Sequence, residues 1–348
     1  MKSNVYKWER VLDRLNIGTS LDDALVYRKN KERAYREGFE EFIETAIPCR
    51  IKGKNYFVHP NVNFYLDLSS ACNCKCEFCI AETTYQRKGV DTRYYLDKLE
   101  EEIINLKHIN PSVQIVGGEP TIDNKIYSVI KMVDKHNLTR PVLGTNGYGL
   151  TNELIDCINE SSIEHVNLSR HHYNENTNQE IMRSTKLFGN NDITQRVAKI
   201  NKDIRVQCNM IGTYIDTYGE VMQYISYAYH KLGITNIAFA QLTPLPENDI
   251  YQQSIIDYVK ERQVDIDAIL ERVSSDSRFV FKKYRGGVAC YYEVWEFTAY
   301  EKPVTVLFKF SDNKWLVKAD KINNYVPDII FHTDGTLAGS WNKNIKHM

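Results

Sequence analysis

The run Cys72-Asn73-Cys74-Lys75-Cys76-Glu77-Phe78-Cys79 holds four of the chain's eight cysteines. The others, Cys49, Cys157, Cys208 and Cys290, are scattered. A secreted disulfide framework spreads its cysteines across loops, so tight clustering points instead to metal. Cys72, Cys76 and Cys79 give the spacing C-x3-C-x2-C. Thiolates are soft ligands suited to iron–sulfur clusters and to zinc. Three of them on a four-iron cube leave one iron without a protein ligand, open to a cofactor or substrate. The alternative is a zinc site that uses all four cysteines, including Cys74. Zinc sites more often pair two separated C-x2-C units, and no second unit exists in this sequence. Cys74 is therefore read as a non-ligand.

Upstream of the cysteines, residues 62–68 alternate as a strand. Downstream, residues 94–108 have helical spacing, with Leu96, Leu99, Ile103, Ile104 and Leu106 apolar. The rhythm then repeats. Strands are expected at 113–116, 141–144, 165–168, 205–211 and 237–242, and helices at 124–136, 152–159 and 219–232, with two more between 177 and 200. Six strands separated by helices build a parallel sheet with helices on its faces. The expected fold is α/β, an open, partial (β/α)6 barrel. The irregular motifs fall after strands, where ligands bind in parallel α/β folds. Gly117-Gly118-Glu119-Pro120 follows the second strand, Thr145-Asn146-Gly147 the third, and Ser169-Arg170-His171-His172 the fourth. Glycines let backbone approach a ligand closely, and Glu119 can accept from an ammonium.

The pattern C-x3-C-x-aromatic-C, with Phe78 before the last cysteine, resembles the signature of the radical S-adenosylmethionine (SAM) superfamily. Gly117-Gly118-Glu119-Pro120 resembles that superfamily's GGEP motif, and Thr145-Asn146-Gly147 its TNG element. The resemblance covers roughly residues 61–245. It implies one [4Fe-4S] cluster on Cys72, Cys76 and Cys79. It implies a SAM site formed by Phe78, Gly117, Gly118, Glu119, Pro120, Thr145, Asn146, Ser169, Arg170, Asn209 and Ile211. The Asn209–Ile211 portion of the fifth strand is similar to the GTP 3′,8-cyclase branch. The implied chemistry is reductive cleavage of SAM to a 5′-deoxyadenosyl radical, which takes a hydrogen from the substrate. An external donor such as flavodoxin or ferredoxin supplies the electron.

The resemblance also has limits. The cyclase carries a three-cysteine C-terminal cluster, yet only Cys290 lies beyond residue 208. A single cluster is therefore expected. His171 and His172 are candidates for acid–base work or for binding an anion. Cys290 is a candidate hydrogen donor to a substrate radical, or else a small buried hydrophobe. A small metabolite of nucleotide or sugar type is the leading substrate class, with modification of a ribosomally made peptide as the alternative. A non-catalytic zinc or iron–sulfur protein is the reading from another class.

Around this core, residues 1–60 are expected to form a helical extension ending in a short hairpin about Lys52-Gly53-Lys54-Asn55. Residues 61–246 form the barrel. Residues 247–348 form an appendage, with one long helix over 250–273 and strands at 279–282, 288–298, 304–310, 314–317 and 329–332. The formal net charge is -1, which gives no global attraction to nucleic acid or an anionic membrane. No window approaches an apolar membrane span and the N-terminus lacks a signal-peptide core, so a cytoplasmic location is expected.

Overall fold

The computed structural model describes residues 17–69, 71–79, 90–184, 189–245, 252–287, 290–312, 314–315, 318, 321–322, 324–341 and 348. Residues 1–16 of the expected extension lie outside this set. Two helices, α1 (Leu21–Lys29) and α2 (Lys31–Thr45), follow the short strand β1 (Ile17–Gly18). Asn30 separates them, and its side chain caps α2 by accepting from the Arg33 amide. Strand β2 (Ile47–Ile51) then turns back antiparallel into β3 (Lys54–Asp67). Lys52 and Gly53 make that turn with φ of 47° and 81°, the positive pair that a two-residue hairpin needs. The hairpin arm and the first barrel strand are one continuous element. Residues 60 and 61 lie inside it.

The alternation follows as α3 (Thr92–Leu106), β4 (Ser112–Val116), α4 (Lys125–Lys135), β5 (Thr139–Thr145), α5 (Asn152–Glu160) and β6 (His165–Ser169). Helices α6 (Glu175–Met182) and α7 (Asn190–Val197) precede β7 (Asp203–Met210), and α8 (Tyr218–His230) precedes β8 (Asn236–Gln241). Strands β3 to β8 pair in sequence order, all parallel. Helix starts carry their own caps. Asp91 accepts from the amides of Arg93 and Tyr94, Thr151 from Leu154, and Thr217 from Glu220.

The region after β8 differs from expectation in three ways. The single long helix is two, α9 (Gln253–Glu261) and α10 (Ile266–Ser275), with Asp265 capping the second by accepting from Ala268. Lys314 and Trp315 are helical rather than extended, and Trp315 packs its ring 5.3 Å from Phe39 of α2. Third, the C-terminal strands continue the barrel sheet at both of its edges. Strands β9 (Phe279–Gly287) and β10 (Cys290–Phe297) form an antiparallel pair, and β10 pairs β11 (Val304–Ser311). Strand β11 lies parallel to β8, while β12 (Tyr325–Phe331) lies parallel to β3 at the far edge and turns back into β13 (Leu337–Ala338). The parallel order is thus β12-β3-β4-β5-β6-β7-β8-β11. An exposed strand edge is a template for pairing with another chain, and alternating apolar segments such as Val304-Thr305-Val306-Leu307-Phe308 are suited to cover it.

Alternation along each strand sorts the two faces. Val166 and Leu168 on β6, and Val206, Cys208 and Met210 on β7, are buried in the core beneath the helices. His165, Asn167, Ser169, Arg205, Gln207 and Asn209 therefore occupy the opposite, concave face. On β10, Tyr291 and Glu293 face α1. There Arg28 pairs with Glu293 at 2.6 Å, and the Tyr291 hydroxyl donates to the Ala24 carbonyl. Tyr292 is left on the concave side.

Candidate active site

The cysteine loop leaves β3 at the carboxyl rim of the barrel and is fastened on two sides. The amides of Gly118 and Glu119 donate to the carbonyls of Ser69 and Ala71, each at 2.9 Å. From α6, the Met182 carbonyl accepts from the Lys75 amide at 3.0 Å, and the Ser184 hydroxyl donates to the Asn73 carbonyl at 2.9 Å. Gly117 must be glycine. Its φ is 137°, and a Cβ there would stand 2.9 Å from both Asp67 Oδ1 and the Ser69 nitrogen.

Within the loop, Cys72 is exposed, Cys76 and Cys79 are partly so, and Cys74 is buried. Cys74 packs against Met182 and receives the Asn146 amide on its sulfur at 3.3 Å. The donor set of Cys72, Cys76 and Cys79 is three reachable thiols with no carboxylate or imidazole among them. It fits an iron–sulfur cluster. Among the described residues, no three His, Cys, Asp or Glu side chains are gathered as ligands of a single metal ion.

Glu119 ties two of the motifs together. Its carboxylate is 1% exposed. One oxygen accepts from the Thr121 amide and hydroxyl and from the Thr145 hydroxyl, and the other accepts from the Asn146 amide at 2.6 Å. Burial raises its pKa, and these donors oppose the rise. Thr145 also caps the turn by accepting from Gly147 at 2.9 Å, and Asn146 reaches Asn73 at 2.8 Å. Pro120 opens a 3-10 turn, Pro120–Ile122, at the position where its missing N–H costs nothing.

The fourth and fifth strand ends complete the rim. His171 is buried, and its Nδ1 accepts from the Asn209 amide at 3.1 Å. That bond fixes the proton of the neutral ring on Nε2. Burial, followed by the Arg170 charge, lowers its pKa to about 3, so the ring is neutral at physiological pH. Its ring stands edge-on to Phe78 with centroids 5.1 Å apart. Phe78 in turn packs into the apolar cluster of Ile181, Ile211, Leu242, Ile255 and Val259. Phe78, His171, Asn209 and Ile211 are thus brought together.

The other expected residues have the following surroundings. Arg170 is buried, and its carbonyl accepts from the Tyr224 hydroxyl of α8. His172 turns its Nδ1 to the Asn174 amide at 2.9 Å and its Nε2 toward Glu220 at 3.9 Å. Ser169 lies on the concave face. Cys290 opens β10 opposite Ser311, whose amide donates to Gln241 at the end of β8. Sequence reasoning missed Asn178, fully buried, whose Oδ1 accepts from the amides of both His171 and His172. No motif marks it; only its place on α6, facing the loop after β6, gives it that role.

A family model described as the radical SAM superfamily matches residues 66–228. This stretch of the chain is a radical SAM superfamily domain. Superfamily members are enzymes that use SAM and an iron–sulfur cluster, and the fold is the partial barrel set out above. Among curated proteins, an S-adenosylmethionine-dependent nucleotide dehydratase from Flammeovirga pacifica is 30% identical over 138 residues, covering 39% of this chain and 46% of that protein. A GTP 3′,8-cyclase from Clostridium perfringens is 22% identical over 223 residues, covering 62% and 67%. A probable GTP 3′,8-cyclase from Thermoplasma volcanium is 26% identical over 125 residues, covering 35% and 36%. The chain spans 36% to 67% of the length of these curated relatives. Among solved structures, Streptococcus suis SuiB bound to its precursor peptide SuiA has a TM-score of 0.49 at 13% identity, covering 81% of this chain and 60% of that one. Escherichia coli HemN, titled coproporphyrinogen III oxidase, has a TM-score of 0.47 at 13% identity, covering 68% and 67%. No helix of the described residues is long and apolar enough to cross a membrane.

Proposed function

We propose that this chain is a single-cluster radical SAM enzyme that takes a hydrogen atom from a small phosphorylated metabolite of nucleotide or sugar type. The observation that carries the reading is the joining of the three motifs at one rim: Glu119 bonds to Thr145 and Asn146, and Asn146 bonds to the cysteine loop. Cys72, Cys76 and Cys79 would hold the cluster. With SAM bound, the pair supplies the reducing electron and the 5′-deoxyadenosyl radical.

The chain's own residues position and shield. Gly117, Gly118 and Pro120 shape the turn that bears Glu119. Thr145 and Asn146 line the same pocket, and Ser169 and Asn209 offer polar side chains from the concave face. Phe78 and Ile211 supply an apolar wall that excludes water from a reactive radical. His171, neutral with its proton on Nε2, acts as a donor rather than as a base. His172 and Cys290 are the further catalytic candidates, with Cys290 as a source of a returned hydrogen. Arg170, in the loop between β6 and α6, is a further candidate SAM contact. A flavodoxin or ferredoxin would dock as electron donor. The nucleotide enzymes among the relatives support the substrate class.

The test is anaerobic reconstitution with iron and sulfide, then incubation with SAM, dithionite and a panel of deuterated nucleotides and sugar phosphates. Deuterium in the 5′-deoxyadenosine identifies the substrate. Deuterium transfer only from a peptide substrate would overturn the small-metabolite reading.

A further inference from the structure

The floor of the barrel, opposite the cysteine loop, gathers cations. Arg140 and His165 stand at the starts of β5 and β6, and Arg205 lies near the start of β7 on the same concave face. Arg140 is held there by a backbone φ of 51°, a conformation that is uncommon outside glycine and asparagine. Arg205 donates from Nε to Asn236 Oδ1 at 3.1 Å.

Strand register brings a third guanidinium to the same level. Val142, His165 and Asp203 form one row across β5, β6 and β7. Asn209, Ala240, Lys309, Tyr292 and Arg285 form another, across β7, β8, β11, β10 and β9. That second row starts six residues above Asp203. A parallel barrel climbs about one residue of stagger per strand, so the six steps from β5 to β9 bring Arg285 across the lumen to the level of His165. Electrostatics agrees: Arg140 feels Arg285, Tyr292 and Arg205, and Arg205 feels Tyr292. Arg285 donates to the Tyr292 hydroxyl at 3.2 Å.

Carboxylates are outnumbered in this cluster: Asp203 sits beside His165 in the strand register and pulls its pKa upward. Glu164 stands 3.8 Å from Arg140. Among the described residues, Arg205 and Arg285 pair with no carboxylate. His165 is largely buried on the same face, with the Asn167 side chain as its polar neighbour. Half-buried guanidiniums without a counter-charge are costly unless a ligand supplies one.

We propose that Arg140, Arg205 and Arg285, with Tyr292 and His165 beside them, hold a phosphate group of the substrate at the floor of the barrel. This deepens the reading above and rests on the lumen being the substrate chamber. Forks arriving from three strands suit a tetrahedral oxyanion of more than one charge, whereas a planar carboxylate is satisfied by a single fork. From His165 to Ser169 the strand rises about 13 Å at ~3.3 Å per residue. A phosphate at the floor therefore leaves the rest of a nucleotide or sugar phosphate reaching up toward the rim.

The experiment is calorimetric titration of the reconstituted full chain with inorganic phosphate and, separately, with acetate. The variants are Arg205→Met, Arg285→Met and Arg205→Lys, each checked for fold by circular dichroism. Phosphate is expected to bind the unaltered chain. Its affinity should fall about tenfold or more in each Met variant and less in Arg205→Lys. Equal phosphate affinity in all four chains, no phosphate binding by the unaltered chain, or acetate binding as tightly as phosphate would each overturn the proposal. Phosphate binding in a chain that never cleaves SAM would sink the radical reading and leave the floor site standing. SAM cleavage without phosphate binding would do the reverse.

Discussion

At the rim of the barrel, the buried carboxylate of Glu119 accepts from Thr121, Thr145 and Asn146. At the floor, the guanidiniums of Arg205 and Arg285 meet an amide and a phenol. The rim carboxylate is satisfied by the protein itself. Among the described residues, Arg205 and Arg285 at the floor have no carboxylate partner. The difference separates two tasks. A site for a cofactor common to a whole family is preorganised by backbone and short side chains. A site for one substrate is built from long, charged side chains at inward strand positions, which can change without disturbing the core.

The largest expected effect breaks the rim. Cys76→Ala should lose essentially all cluster iron after reconstitution, whereas Cys74→Ala should keep about four irons per chain. Iron and sulfide analysis checks both, and equal loss in the two variants would make Cys74 a ligand. Next comes Glu119→Gln. An amide has one acceptor oxygen and would turn its NH2 toward a neighbouring donor. About 3 kcal/mol of stability should go, measured by urea unfolding of the cluster-free protein. A loss below about 1 kcal/mol would mean that the rim is not held as described.

The floor gives a smaller, pH-dependent effect. Burial, with help from Arg205 and Arg140, lowers the His165 pKa to about 4, against 6.5 for the free side chain; Asp203 pulls the other way. The unfolded chain takes up this proton between those values and the native chain does not. Stability from this group is therefore intact above pH 6.5 and falls as the pH drops toward 4. His165→Gln should remove up to about 2 kcal/mol of that acid loss, allowing for partial solvent screening. Saturating phosphate should raise the His165 pKa, an upward shift readable by NMR titration. A downward shift would contradict the floor site. The smallest effect belongs to Cys290→Ser, expected to change stability by less than about 1 kcal/mol, since the side chain is half-buried at a strand start. If Cys290 returns a hydrogen, this variant cleaves SAM yet stops forming product.

Much of the rim was legible because its chemistry is local. Three cysteines on one loop and glycine-bearing strand ends are contiguous in sequence, and strand–helix alternation orders them around one barrel mouth. The loop after β6 is set from farther away: the turn into α6 is held by Asn178, which accepts from the His171 and His172 amides, and the His172 ring turns to the Asn174 amide. The proposed floor site was not legible. Arg140, Arg205 and Arg285 are separated by scores of residues and converge only through barrel stagger. That stagger depends on β9 to β11 continuing the sheet past β8, and their antiparallel patterning alone does not specify that edge.

On the proposed reading, three thiolates, and not four, hold a cluster with one iron open to SAM. Electron paramagnetic resonance of the reduced, reconstituted protein, recorded with and without SAM, tests it most directly. The spectrum is expected to change on SAM addition in the unaltered chain and in Cys74→Ala alike, with 5′-deoxyadenosine formed in both. A spectrum that SAM leaves untouched in the unaltered chain, and shifts only in Cys74→Ala, would show Cys74 filling the fourth position and would contradict it.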